Sequence, residues 1–319
     1  MASVAGSKHG SGFYRLATTL IRPLLALPFP GRWKVFGALI NAPERQPQWD
    51  GAGLRWTRSK IHGFFIPCDL SVFSGRIAWF FRRWYELDTQ SAIITLLPKG
   101  GSFVDIGANV GMATLTAVAA AGREGHFMAF EPNPAVGAIF AESMQRNGLG
   151  QVELKGCAIG EQAGELEFFV PENNHGEGSL GTDFGDRPGK LIRVKVCDGS
   201  AINALDRLDL VKIDVEGFEQ VGLQAIQPAI ARHRPMIVSE LMDEHLRRAG
   251  TTSGKVLTMM AGLGYAAFRI QVAGAGLLPP RAILLPVPPD ENALSANVLF
   301  APEEKAVEVA RLSFAALPK

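Results

Sequence analysis

The fold is indicated by the stretch Gly101-Ser-Phe-Val-Asp-Ile-Gly-Ala-Asn-Val-Gly111. A second stretch of similar pattern, Phe130-Glu-Pro-Asn133, follows it further along the chain. Each stretch begins as an apolar run and reaches an acid, Asp105 in the first and Glu131 in the second. The number of residues between Asp105 and Glu131 is about the length of one strand–helix–strand unit, so both carboxylates are expected at the same edge of one sheet. A carboxylate at the end of the second strand typically binds a ribose diol. The pattern therefore predicts a site for a nucleoside-bearing cofactor.

The turn after the first strand indicates which cofactor is preferred. Gly107 and Gly111 allow a tight turn and the close approach of a ligand. A dinucleotide site typically has Gly-x-Gly-x-x-Gly, whereas this turn has an acid, Asp105, two residues before its first glycine. An acid there would repel a pyrophosphate but would suit the sulfonium and ammonium groups of S-adenosylmethionine. The alternative is that the glycines form a tight strand–helix turn in another kind of α/β protein.

Composition and charge narrow the classes of function. The chain of 319 residues is 47% hydrophobic and 20% charged, which predicts one large folded α/β domain with an appendage. Residues 1–100 hold 13 Lys and Arg against 5 Asp and Glu, whereas residues 101–319 hold 19 against 26. The basic segment would suit a membrane surface or a phosphorylated substrate, or its arginines are simply solvated or paired with the acidic domain. The acidic main region, which lacks an Asn/Asp-Pro-Pro-Tyr/Phe block, argues against nucleic acid as a partner.

The cysteines and the apolar runs of the sequence indicate in which cellular compartment the protein is expected. Cys68, Cys157 and Cys197 are odd in number and widely spaced, so neither a disulfide framework nor a zinc knuckle is expected, and a reducing cytoplasm fits best. No uncharged apolar run approaches 18 residues, so no transmembrane helix is expected. Phe13 to Leu27 predicts an amphipathic helix that either packs on the domain or touches the inner membrane surface.

Strands and helices alternate from Ser102 onward, which predicts a parallel sheet with helices on both faces. We expect residues 1–85 to form an N-terminal extension with a mobile tail, the amphipathic helix and a short hairpin, and residues 86–319 to form the cofactor-binding domain. An insertion at about 164–200 should form a hairpin whose tip acts as a lid. Residues 28–50 are expected to be an irregular linker, 73–97 to be helical with an aromatic cluster in the core, and 274–289 to be a loop. Strands are predicted at Phe103–Ile106, His126–Phe130, Val152–Gly156, Leu208–Ile213, Met236–Leu241, Ala266–Ile270 and Asn297–Ala301. Helices are predicted at Met112–Ala121, Ala135–Asn147, Glu219–Ala231 and Ser253–Leu263.

Four motifs in order resemble the FkbM family of S-adenosylmethionine-dependent methyltransferases over roughly residues 84–270. These motifs are Phe103-Val-Asp-Ile-Gly-Ala-Asn-Val-Gly111, Ala129-Phe-Glu-Pro-Asn133, Cys157-Ala-Ile-Gly160 and Leu210-Val-Lys-Ile-Asp-Val-Glu-Gly-Phe-Glu219. The resemblance implies a Rossmann-like sandwich with the mostly parallel, seven-stranded sheet of class I methyltransferases. It also implies O-methylation, often of sugar hydroxyls on glycolipids, polysaccharides or natural products.

The same resemblance assigns cofactor-binding residues. Glu131 would bind the ribose hydroxyls, and Ala158 would offer its backbone to the adenine. The methionine part would be cradled by the first turn, and the remaining residues would flank the ribose and adenine. The whole predicted set is Asp105, Gly107, Ala108, Asn109, Gly111, Glu131, Pro132, Asn133, Cys157, Ala158 and Asp214.

Carboxylates after the fourth and fifth strands are the candidates for catalysis. A sugar hydroxyl is a poor nucleophile at pH 7, so it must be aligned with the methyl group and its proton needs an acceptor. Asp214, Glu216 and Glu240 are the candidate acceptors, and His175 in the lid is a further candidate. Alternatively, Asp214 and Glu240 hold a divalent cation such as Mg²⁺, which would lower the pKa of the hydroxyl. Glu216 and Glu219 also suit a helix N-terminus. The remaining histidines, His245 among them, lack metal-ligand spacing.

The sequence therefore predicts an S-adenosylmethionine-dependent O-methyltransferase with a sugar, glycolipid or related small acceptor. One alternative is a non-catalytic cofactor-binding partner in envelope or glycan assembly, although the presence of all three acids, Asp105, Glu131 and Asp214, favours an enzyme. Another is an NAD-dependent oxidoreductase, which the missing dinucleotide pattern disfavours. The sequence does not specify the acceptor or the oligomeric state.

Overall fold

The computed structural model describes residues 16–27, 29–171, 178–180, 188–273, 281–312 and 314. The chain divides into two compact units, with the boundary between Tyr85 and Glu86. The N-terminal unit contains the described residues up to Tyr85. The C-terminal unit begins at Glu86 and includes the described residues on both sides of the segment 274–280.

The N-terminal unit packs short helices around an antiparallel hairpin. Its core includes the aromatic residues Phe36, Trp49, Phe80 and Phe81. Of the predicted aromatic cluster, Phe80 and Phe81 are therefore buried, whereas Tyr85 is 45% exposed. The predicted short hairpin is present and pairs Leu54 with Asp69 and Arg58 with Phe65. A π-helical turn at Ala17–Ile21 precedes the helices α1 (Arg22–Ala26), α2 (Arg32–Leu39), α3 (Gln46–Trp49) and α4 (Phe73–Phe81), and the hairpin strands are β1 (Leu54–Arg58) and β2 (Phe65–Asp69).

Two predictions for this part of the chain were wrong. The proline-containing segment 28–50 includes two helices, because Pro47 lies at the start of α3, where its missing N–H has no cost. The helix predicted over 73–97 is two helices. Arg82 adopts a left-handed backbone with φ +54°, which ends the first of them.

The C-terminal unit is built on a large mixed sheet. Its helices in chain order are α5 (Leu87–Leu96), α6 (Met112–Ala121), α7 (Pro134–Arg146), α8 (Ser200–Asn203), α9 (Glu219–Ala225), α10 (Gln227–His233), α11 (Asp243–Arg248), α12 (Ser253–Gly262) and α13 (Glu303–Ala310). Its strands are β3 (Ser102–Ile106), β4 (His126–Phe130), β5 (Val152–Lys155), β6 (Ala158–Ile159), β7 (Gly164–Pro171), β8 (Ser179–Leu180), β9 (Gly189–Cys197), β10 (Leu210–Ile213), β11 (Met236–Met242), β12 (Tyr265–Ala273), β13 (Arg281–Val287) and β14 (Ser295–Pro302).

The large sheet has the order β13-β12-β14-β11-β10-β3-β4-β5 among the described residues. The five strands from β5 to β11 are parallel, and β14 runs antiparallel between β11 and β12. All seven predicted strands are present in this order, which is that of the class I methyltransferase sheet. An eighth strand, β13, extends the edge. It lies within residues 274–289, which the sequence predicted to be loop, and its antiparallel pairing with β12 supplies the backbone hydrogen bonds.

Local sequence explains the elements that carry the site. All five residues of β3 are buried, as expected for a central parallel strand covered on both faces. The Asn133 side chain accepts a hydrogen bond from the Ala135 N–H and caps α7, and Pro134 fits the first helical position. The helix predicted over Glu219–Ala231 is divided at Ile226, since Pro228 cannot donate the backbone hydrogen bond that a continuous helix would need.

A second, smaller sheet has the order β6-β9-β7-β8, and β7 and β9 form the hairpin that was predicted in the insertion. The tip of the predicted lid, with His175, lies mostly outside the described residues. A disulfide joins Cys157 to Cys197 across 40 residues, and Cys68 is a buried free thiol. The prediction of unpaired cysteines was therefore wrong, and the inference of a reducing compartment loses its basis. The pairing of β6 with β9 brings these distant cysteines together.

No helix in the described part of the chain is both long enough and apolar enough to cross a membrane.

Candidate active site

The first turn of the site follows β3 and packs against the end of β10. Gly107, Asn109 and Gly111 all have a left-handed backbone, with φ of +76°, +51° and +86°. A Cβ atom on Gly107 would lie 1.9 Å from the carbonyl oxygen of Asp214, and one on Gly111 would lie 2.8 Å from the ring of Phe140. The two glycines are thus required by the protein's own backbone and core, in addition to any ligand that approaches the turn.

Glu131 connects this turn to the end of β4. Its Oε2 accepts a hydrogen bond of 2.9 Å from the Asn109 N–H, and its Oε1 accepts one of 2.8 Å from the Asn133 N–H. The side chain is 7% exposed, and burial raises the pKa of Glu131 to about 7, although the two amides act in the opposite direction. Each carboxylate oxygen has a second lone pair, so Glu131 is held in place and can still accept hydrogen bonds from a diol.

Lys212, on β10, is the buried cation at the centre of the site. Its Nζ donates to the Gly107 carbonyl at 2.8 Å, and it lies 3.2 Å from Asp214 Oδ2 and 3.7 Å from Asp105 Oδ1. Burial alone would lower the pKa of Lys212, but the carboxylates of Asp214, Asp105 and Glu86 outweigh burial and raise it. Lys212 therefore stays charged and fixes the position of the first turn. Lys212 belongs to the fourth motif, but nothing in the pattern of that motif indicated a role for it.

Asp105 points into the protein. It is fully buried and accepts a hydrogen bond of 2.6 Å from the hydroxyl of Thr114. Burial raises the pKa of Asp105, and the charge of Lys212 acts in the opposite direction. These contacts connect Asp105 to the turn through Lys212 and to helix α6 through Thr114.

Asp214 and Glu240 form a carboxyl pair at the ends of the neighbouring strands β10 and β11. Burial, with the nearby carboxylates of Asp214, Glu86 and Glu216, raises the pKa of Glu240 to about 9, and Glu240 shares a hydrogen bond with Asp214. The raised pKa therefore favours the protonated form of Glu240 at neutral pH. The shared hydrogen bond places the predicted acids together, as expected for the carboxyl ends of adjacent parallel strands.

The divalent cation predicted at Asp214 and Glu240 stays a prediction. The described residues contain no group of three or more His, Cys, Asp or Glu side chains that could hold a metal ion. Asp214 and Glu240 provide two carboxyl groups, one fewer than such a group contains.

Glu216 pairs with His245, for which the sequence predicted no role. His245 Nδ1 lies 2.6 Å from Glu216 Oε2, and this hydrogen bond raises the pKa of His245. Glu216 has a left-handed backbone with φ +55°, so it lies in a turn and not in the helix. Glu219, the first residue of α9, accepts hydrogen bonds from the N–H groups of Val215 and Gly217 in the preceding turn, and its position agrees with the interpretation as a helix N-terminal acid.

The remaining predicted residues follow β3 and β4 or lie at the start of β6. Ala108 is buried and donates its N–H to the Phe130 carbonyl, and Pro132 is half-buried beside Glu131. Cys157 and Ala158 are buried, and Ala158 begins β6, where it pairs with Val196. His175 lies outside the described residues.

The strand order, with acids at the ends of the first, second and fourth parallel strands, defines a Rossmann-like protein of the class I methyltransferase type. Residues 105–267, just over half of the chain, match the model of the methyltransferase FkbM domain. The chain therefore belongs to the FkbM methyltransferase family, as its motifs indicated. It matches no curated protein.

Solved structures of methyltransferases are similar to the chain at low identity. The FkbM methyltransferase of Methylobacillus flagellatus is 17% identical with a TM-score of 0.39, and the match covers 66% of this chain but 47% of that one. An S-adenosylmethionine-dependent O-methyltransferase of Thermotoga maritima is 14% identical with a TM-score of 0.40, covering 77% and 84%. A precorrin-6y C5,15-methyltransferase of Geobacter metallireducens is 14% identical with a TM-score of 0.36, covering 66% and 87%. At these scores the likenesses add nothing to the family assignment.

Proposed function

We propose that this protein is an S-adenosylmethionine-dependent O-methyltransferase that acts on a hydroxyl group of a sugar, glycolipid or related small acceptor. The observation that carries the proposal is the carboxyl pair of Asp214 and Glu240, which lies beside the Gly107 turn and contacts the buried ammonium of Lys212. Such a pair can receive the proton that a hydroxyl group must lose when it is methylated.

The residues around the first turn fit the cofactor. S-adenosylmethionine, when bound, supplies an electrophilic methyl group. Glu131 would accept the ribose hydroxyls, since backbone amides already fix both of its oxygens. Ala158 would offer its backbone to the adenine, and the turn at Gly107 and Asn109 would receive the methionine part. Asp105 would act indirectly, because its carboxylate is engaged by Thr114 and Lys212.

The acid pair would provide the proton acceptor. The raised pKa of Glu240 favours its protonated form at neutral pH, and Asp214 lies 3.2 Å from Lys212 Nζ. Asp214 would accept the hydroxyl proton. The ion pair of Glu216 with His245 would then be the next polar group along the edge of the sheet.

The N-terminal unit supports a contact with a membrane surface, which would suit a glycolipid acceptor. On the helical segment through α1, Ala17 and Leu25 are buried, whereas four leucines spaced for one helical face stay exposed. These are Leu16, Leu20, Leu24 and Leu27.

A non-catalytic partner protein is the second candidate function, and it is disfavoured because a scaffold has no need of the Asp214–Glu240 pair.

Methyl transfer to hydroxylated acceptors tests the proposal. The full-length protein would be incubated with S-adenosylmethionine labelled in the methyl group and with lipid and glycan extracts, and the products would be analysed by mass spectrometry. Asp214→Asn should retain cofactor binding but lose at least about a hundredfold in turnover, since it removes the proton acceptor. Asp206→Asn, an exposed acid outside the site, is the matched control. Parental turnover in the folded Asp214→Asn protein would contradict the assignment. Loss of activity on treatment with EDTA would show that a cation takes part after all.

A further inference from the structure

The N-terminal unit contains a group of basic side chains, named here the cationic cluster, that comprises Arg32, Lys60, Arg82 and Arg83. The Arg32 guanidinium lies 5.1 Å from the ring centroid of Phe81, and the Arg83 guanidinium lies 5.8 Å from the same ring. Lys60 donates its backbone N–H to the Arg82 carbonyl at 2.8 Å, which holds the hairpin loop against the end of α4. The cluster therefore combines four cations with an aromatic surface.

Two of these side chains each have a buried nitrogen atom without a hydrogen-bond partner among the described residues. Lys60 Nζ and Arg83 Nε are buried and have no hydrogen-bond partner among the described residues. Arg83 is 2% exposed, and Arg32 is 8% exposed. Burial and the charges of Arg32, Arg83 and Arg82 lower the pKa of Lys60 to about 8, so it is still mostly protonated at neutral pH. Burial, together with Arg32, lowers the pKa of Arg83 to about 10.

The chain supplies no counter-charge for this cluster within its described residues. Residues 1–85 hold 12 Lys and Arg against 3 Asp and Glu. Of these acids, Asp50 and Asp69 act on Arg76. No salt bridge in the described part of the chain joins an acid to a member of the cationic cluster. Buried charges in proteins are normally paired, because an isolated buried ion is costly.

Arg76, in the same unit, shows what a purely structural buried arginine looks like. It is 5% exposed, and its guanidinium donates to the side chains of Asn41 and Gln46 and to the carbonyls of Leu70 and Ser71. All three of its nitrogens thus have acceptors. The contrast with Lys60 and Arg83 shows that the cationic cluster has donor atoms for which the described residues supply no acceptor.

We propose that the cationic cluster is a binding site for a phosphate-type oxyanion. Guanidinium and ammonium groups are the donors that phosphate oxygens prefer, and a doubly charged phosphate offers enough acceptors for several cations at once. Trp33 lies at the exposed side of the cluster, since 45% of the residue is exposed. Its ring stacks on Phe81 with 4.4 Å between the ring centroids, and the Arg83 guanidinium lies 5.7 Å from the centroid of the Trp33 ring. The long flexible stem of Lys60 can turn its ammonium toward an arriving anion.

The same chemistry has two sources, a soluble phosphoester and the headgroup of an anionic phospholipid. The cluster adjoins the exposed leucine face, because Arg32 donates to the Leu27 carbonyl at 3.4 Å. This site is independent of the proposed methyl transfer, so either proposal can fail while the other stands.

The first experiment compares the Tm of the full-length protein in pyrophosphate with its Tm in chloride of equal ionic strength. The second measures co-sedimentation of the protein with vesicles of phosphatidylcholine alone or mixed with phosphatidylglycerol. Pyrophosphate should raise the Tm by ~2–4 °C beyond chloride if it binds at the cluster. The test variant is Lys60→Met, which removes the unpaired ammonium. It should raise the Tm without anion, since a buried unpaired charge is lost, and it should weaken anion binding by about tenfold. Lys34→Gln, an exposed lysine on α2, is the control with the same loss of charge.

Each outcome decides the proposal. An anion response that is present in the parent and in Lys34→Gln but lost in Lys60→Met supports the site. A response to pyrophosphate identifies a soluble ligand, and a response to phosphatidylglycerol vesicles alone identifies a lipid headgroup. No response to either, or an equal loss in Lys34→Gln, would overturn the proposal, because binding would then be absent or a matter of net charge.

Discussion

At the scale of single residues, the site depends on buried charges that hold one another in place. Lys212 touches the Gly107 carbonyl, Asp105 and Asp214, and so connects the first turn to the acid pair. Asp105 is fully buried, so it would become an uncompensated charge without Lys212. The lysine is therefore a positioning residue for the turn and for Asp214.

Lys212→Met should destabilise the protein by about 3–5 kcal/mol, the cost of leaving a buried carboxylate without its partner. The double variant Lys212→Met with Asp105→Asn should recover part of that loss, because it also removes the stranded charge. Urea denaturation measures both, and Lys195→Met, an exposed lysine on β9, is the control. Equal stability of Lys212→Met and the parent would contradict the role of Lys212.

At the scale of elements, the disulfide fastens the small sheet next to the predicted adenine contact. Cys157 directly precedes β6, and Cys197 ends β9. Because the crosslink closes a loop of 40 residues, the chain-entropy model assigns it about 4 kcal/mol of stabilisation.

The double variant Cys157→Ser with Cys197→Ser should accordingly have a lower Tm than the oxidised parent. Treating the parent with a reductant should lower its Tm to the same degree, while the variant should not respond. Thermal unfolding with and without dithiothreitol makes the comparison. A parent whose Tm is unaffected by reductant would show that the bond is not formed in solution.

The sequence predicted those elements whose pattern is local. β3, β4 and α6 follow from continuous apolar or alanine-rich runs bounded by glycine, and the hairpin of β7 with β9 follows from alternation. β13 was missed because its backbone is ordered by pairing with β12, which the sequence of the strand does not encode. The Cys157–Cys197 bond was missed for the same reason, since it depends on how β6 and β9 pair.

The candidate site was predictable where strand ends determine it. Asp105, Glu131, Asp214 and Glu240 all fall at the carboxyl edge of the sheet, as their spacing indicated. The inward orientation of Asp105 was not predictable, because it depends on the buried cation of the adjacent strand. His245 was set aside for lack of metal spacing, although its partner is a carboxylate, Glu216. A lysine inside an apolar strand two residues before an acid, Lys212-Ile-Asp214, was the signal that could have pointed to the charge network.

At the scale of the whole molecule, charge is divided between the two units. Residues 1–85 carry a net charge of +9 and residues 86–319 a net charge of −8, from 12 Lys and Arg against 3 acids and from 20 against 28. A basic unit favours an anionic ligand or surface, and an acidic unit favours a cofactor with net positive charge such as S-adenosylmethionine. The two proposals made for the molecule thus agree with the sign of charge in each part.

The central claim is that Glu131 and the turn at Gly107 bind an adenosyl cofactor and not a dinucleotide, and calorimetric titration of the full-length protein tests it most directly. S-adenosylhomocysteine and NAD would be titrated in parallel into the parent, Glu131→Ala and the surface control Glu142→Ala. We expect S-adenosylhomocysteine to bind to the parent and to Glu142→Ala. In Glu131→Ala the affinity should be about 10- to 150-fold weaker, since charged hydrogen bonds to the ribose are lost. NAD should give no binding heat. Tight binding of NAD without any response to S-adenosylhomocysteine would contradict the account.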